Sequence, residues 1–160
     1  MNIMELGAIG ELLGGVAVVA SLVYVGLQIR QNTAATRAAS HHAVTDSFNE
    51  INLSLAREPA LAEVWCRGSQ TRVGLSDDER IRFDLFLLSY LRVFETLFYQ
   101  SQVGAAEPRL MEAEERSLES MFALPGYREW WHENPYALDA TFRSYVESFF
   151  SRSAAATLGA

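Results

Sequence analysis

The 160 residues of this chain are 49% apolar and carry a formal net charge of −7, with all 13 basic residues arginine. From residue 31 onward 12 basic side chains stand against 18 acidic ones, a net of −6, which argues against nucleic acid and against an anionic lipid surface as partners of that part. Cys66 is the single cysteine, so no intramolecular disulfide forms; its apolar helical setting predicts a buried structural thiol, and a cystine-free domain suits the cytoplasm.

Leu12 to Ile29, LLGGVAVVASLVYVGLQI, holds no charged side chain. At 1.5 Å per residue such a helix covers roughly 27 Å, close to the hydrocarbon thickness of a bilayer, and the apolar turns before it extend it. Residues 1–30 therefore read as one transmembrane anchor. Arg30 and Arg37 follow the span, while Met1 to Glu11 holds no Arg or Lys, so the positive-inside rule places the N-terminus outside and the rest of the chain in the cytoplasm. Two readings compete with the anchor. A signal peptide cleaved after Val18-Val19-Ala20 would need a basic start, where this chain has Glu5 and Glu11. A soluble bundle would instead use the same helix as its core.

Gly7, Gly10, Gly14, Ala17 and Ser21 recur at spacings of three and four, which aligns small residues along one side of the helix. Helices in lipid associate by close backbone approach, so this strip, with its Gly10-x-x-x-Gly14, predicts a packing surface for another membrane protein or for a second copy, although small residues are common in transmembrane helices generally. Glu11, at the outer boundary, reaches the headgroups or pairs with a polar group of a partner.

No proline or glycine occurs between Arg30 and Pro59, so the helix is expected to continue as an extension over 31–57. Within it Val44, Phe48, Ile51 and Leu55 form an apolar stripe that packs on the domain. His41 and His42 point about 100° apart and cannot share a metal from one face, whereas His42, Asp46 and Glu50 share a solvated side. Pro59 opens a short helix to Arg67, with Leu61, Val64 and Trp65 inward and Gly68 closing it. Ser69 to Leu75 reads as a loop. Ser76-Asp77-Asp78-Glu79 is a capping box, and the helix it opens, to about Val103, is apolar over more than half its circumference and central to a bundle. Asp84, Arg92 and Glu95 exclude that helix as a second span.

Those three charged residues fall within about 80° of one another. They are the best candidate for a polar cluster: either paired charges at a half-buried edge, with Arg92 to Glu95 at i,i+3 and Arg80 to Asp84 at i,i+4, or the wall of a ligand or acid–base site. Gly104 ends the helix, and Pro108 to about Ala123 forms the next, with Leu110, Ala113, Leu118, Met121 and Phe122 inward. Leu124 to Pro135 is a proline-bounded helix whose Trp130 and Trp131 either plug the end of the bundle or offer an aromatic binding surface. Glu129 and His132 have the Glu-x-x-His spacing of di-iron bundles, but the chain has no second such motif, and no metal or cofactor is expected. A final helix from about Leu138 to Ser151 turns Phe142, Tyr145, Val146, Phe149 and Phe150 inward. Residues 153–160 read as a flexible tail.

The runs Gly7-Ala8-Ile9-Gly10-Glu11, Ala17-Val18-Val19 and Gln28-Ile29-Arg30-Gln31-Asn32-Thr33, with Arg82-Phe83-Asp84, Phe94-Glu95, Tyr99-Gln100, Pro125-Gly126 and Trp130-Trp131, resemble a recurrent group of small, uncharacterised bacterial proteins. The resemblance implies an N-terminal hydrophobic helix followed by a helical domain. It brings no activity, substrate or catalytic residue.

The expected fold is all-α: an N-terminal transmembrane helix continuing into a small bundle of about five helices, the bundle itself over 58–152. No nucleophile–base pair, phosphate loop, cysteine–histidine metal spacing or cofactor fingerprint occurs, so the sequence leans away from an enzyme. The expected function is a single-pass interaction or scaffold protein of the bacterial inner membrane, an accessory subunit of a membrane complex or a homo-oligomer. Two alternatives stand beside it: a ligand-sensing or enzymatic cytoplasmic domain with a pocket near Asp84, Arg92 and Glu95, and the soluble bundle with helix 12–29 as core.

Overall fold

A computed structural model describes the backbone of residues 3–158 and the side chains of residues 11–150. The chain is all-α, with helices α1 (Ile3–Arg57), α2 (Pro59–Gln70), α3 (Asp77–Gln102), α4 (Pro108–Phe122), α5 (Pro125–Glu133) and α6 (Ala140–Leu158) and no strand among the described residues. It divides into two units, Met1–Ala39 and Ser40–Ala160. The long first helix thus continues into the helical domain.

In the first unit every described side chain, from residue 11 to 39, is exposed. The large apolar ones between Leu12 and Ile29 are 47% to 70% accessible. Mean hydropathy reaches 2.1 over 18 residues, so among the described residues this is one helix long and apolar enough to cross a membrane.

The second unit begins where α1 acquires core contacts. Val44 and Phe48 are buried, with the Phe48 ring 5.2 Å from Tyr90 and 5.1 Å from Phe94, while Ile51 and Leu55 are half-buried. Ser40 Oγ donates to Gln100 Oε1 at 2.5 Å. The unit boundary therefore falls inside the segment expected as a separate extension over 31–57.

Ser76 caps α3 as a capping box: its hydroxyl accepts from the Glu79 amide at 3.3 Å, and the Glu79 carboxylate accepts from the Ser76 amide at 2.8 Å. Arg67 Nη1 adds a 2.8 Å bond to the same carboxylate, tying the end of α2 to the start of α3. Phe83, Leu87 and Leu91 on α3 are fully buried, and Phe94, Leu97 and Phe98 nearly so. The other end closes at Gly104, whose φ of 70° is a left-handed conformation that favours glycine, and the amides of Ala105 and Ala106 return to Gln100 O.

Gly68 differs from its expected role as a helix stop. It is buried within α2, which runs on to Gln70, and its backbone is a crossing point. A Cβ on Gly68 would lie 2.4 Å from Phe83 Cδ2, and one on Gly126 of α5 would lie 1.8 Å from Gly68 O. Two bare backbones let α2 and α5 touch above the Phe83 ring. The last helix extends past Ser151 to Leu158; side chains from residue 151 on, and with them those of the expected tail 153–160, lie outside the described residues.

Gly126→Ala forces α5 away from backbone that has no room to yield, and is expected to cost about 3 kcal/mol, as overpacking in a rigid core does. Urea unfolding followed by circular dichroism measures it; a loss below about 0.5 kcal/mol would mean that the helices do not approach so closely.

Candidate functional site

The three charged residues expected to cluster on α3 fall into two separate groups. Asp84 and Arg92 are eight residues apart, two turns and about 12 Å along the axis, so a shared side of the helix is not a shared contact. That geometry corrects the expectation of one polar cluster.

Asp84 belongs to a group centred on Arg72, which no sequence pattern singled out. Arg72 is 2% exposed. Its Nη2 donates to both Asp84 oxygens at 2.9 Å and its Nη1 to Glu133 Oε2 at 2.5 Å, while its backbone amide donates to Glu129 Oε2 at 2.8 Å. Arg80, expected to pair with Asp84, instead lies 4.0 Å from Glu133 and reaches Arg72 O at 3.5 Å. One buried guanidinium thereby joins the α2–α3 loop to α3 and α5. Burial pushes the Asp84 carboxyl above its ordinary 3.8, against the pull of Arg72.

Arg92 and Glu95 form the second group. Their side chains meet at 2.6 Å, Arg92 Nη2 donates to Ala137 O at 2.8 Å, and Glu95 Oε1 accepts from the Asp139 amide at 2.7 Å. Asp139 in turn caps α6, its Oδ1 accepting from the Thr141 and Phe142 amides and from the Tyr99 hydroxyl. The Tyr99 bond, followed by the amide bonds, holds the Asp139 carboxyl below its ordinary 3.8. An Asp directly before Ala140 is the signal that could have located this cap from sequence.

The aromatic surface expected as one reading of Trp130 and Trp131 does not form, because both rings are buried at 1% and 0% exposure. They plug the domain. Trp131 Nε1 donates to Glu147 Oε1 at 3.1 Å and Arg143 lies 4.0 Å above its ring, whereas Trp130 Nε1 and Arg72 Nε are buried with no partner among the described residues. Cys66 also departs from expectation: it is exposed, on the rim of a cleft of about 390 Å³ with Arg67, Gln70, Thr71, Val73 and Leu75. Another cleft, about 370 Å³, lies between Glu58, Leu61 and the Arg82 to Ser89 face of α3. Neither touches Asp84, Arg92 or Glu95. The enclosed void bounded by Phe94, Leu118 and Phe142 is about 10 Å³, at the lower limit for a single water.

His42, Asp46 and Glu50 are exposed. Glu129, the acid of the Glu-x-x-His spacing, bonds the Arg72 amide and the Thr71 hydroxyl, and no group of three metal-ligating side chains stands together among the described residues. Of the strip on the first helix, Gly14, Ala17 and Ser21 are exposed, while the side-chain surroundings of residues 7 and 10 lie outside the description. Compared with family models, curated proteins and solved structures, the chain finds no match.

Arg72→Ala removes the buried cation that hydrogen-bonds both Asp84 and Glu133, and is expected to cost about 3–5 kcal/mol in urea unfolding. The two aspartates should respond oppositely to pH. Asp139, with its carboxyl held low, adds stability above 3.8 that disappears as pH falls through its lowered value; Asp84, with its carboxyl raised, favours the fold below 3.8 and loses that contribution as pH rises through its raised value. Asp139→Asn should therefore flatten the acid limb of a stability–pH profile, and Asp84→Asn should remove a decline on the rising side; equal profiles for both variants would contradict these assignments.

Proposed function

We propose that this chain is a single-pass membrane protein of non-catalytic, interaction type, anchored by α1 in the bacterial inner membrane with its N-terminus outside and its helical domain in the cytoplasm. It serves as an accessory subunit of a membrane complex or as a homo-oligomer. The observation that carries the reading is the charge-free stretch from Leu12 to Ile29, whose large apolar side chains are 47% to 70% exposed. Such a surface is unfavourable in water and suits hydrocarbon. A soluble bundle would have to cover that surface. Arg30 and Arg37 at one end supply the orientation.

The domain's chemistry supports the non-catalytic side. The carboxylates of Glu79, Asp84, Glu95, Glu129 and Asp139 each hold a helix end, a loop amide or an arginine, and both clefts described above lie away from Asp84, Arg92 and Glu95. The ligand-sensing alternative would need a pocket beside those three residues.

Expressed in bacteria, the full chain should stay in the membrane pellet through an alkaline carbonate wash and leave it only with detergent. Cys66, exposed on the domain, should react with a membrane-impermeant maleimide only after the cells are opened. Recovery in the carbonate supernatant would overturn the anchor, labelling of intact cells would overturn the orientation, and a strictly monomeric protein without co-purifying partners in native mass spectrometry would overturn the interaction role.

A further inference from the structure

We draw no further inference here: the strongest candidate, the cleft of about 390 Å³ on whose rim the exposed Cys66 lies, rests on a lone cysteine whose neighbour Arg67 is already held by Glu79, and neither of the buried donors without a partner among the described residues, Arg72 Nε and Trp130 Nε1, belongs to a residue of its lining.

Discussion

The interior of the Ser40–Ala160 unit is organised by the apolar side of α3. Phe83, Leu87 and Leu91 retain no accessible surface, and burial of each is worth about 1.5–3 kcal/mol. Helices α2 and α4 pack on α3 directly, α5 lies against both of those, and α6 lies against α4; α1 enters through Phe48 on Phe94. The box at Ser76 and the turn at Gly104 fix the length of α3. That length decides how many neighbours it can hold.

The two units solve opposite solvent problems with the same residue types. In the domain, valine, leucine and phenylalanine disappear into a core where the space bounded by Phe94, Leu118 and Phe142 is about 10 Å³, at the lower limit for a single water. Along residues 12–29 they remain exposed, and withholding that surface from burial forgoes on the order of 10–20 kcal/mol. A helix with that much unburied apolar area is incomplete in water by itself. The remedy lies in its environment, which is why the reading of function turns on what surrounds the helix.

Most of the architecture was legible because it rests on local signals. The charge-free run, the Ser76 box, Pro59 and Pro108 at helix starts, Gly104 at a helix end and the inward periodicity of Phe142 to Phe149 all act within a few residues. What escaped depends on pairs distant in sequence. Gly68 looked like a stop because glycine often is one, and its real constraint is the carbonyl-to-backbone approach of Gly126, 58 residues later. Arg72 lies in the loop where it is expected, but its role there escapes the sequence because its partners Asp84, Glu129 and Glu133 are assembled by the fold. Helical periodicity puts Asp84, Arg92 and Glu95 within about 80° of one another and does not say that two turns of helix separate Asp84 from the Arg92–Glu95 pair. Trp130 and Trp131 show the same limit: composition alone left plug and surface open, and burial decides for the plug.

The contrast between these polar groups bears on what each contributes to the fold. The domain holds most of the chain's 20 acidic residues, yet those at its edges stand beside water, which competes for every bond they make and reduces the net worth of an exposed pair to about 1 kcal/mol or less. Arg92 and Glu95 lie between that case and the buried Arg72: the arginine is 54% exposed and Glu95 is buried, and their bonds to Ala137 O and the Asp139 amide hold the loop before α6 in place.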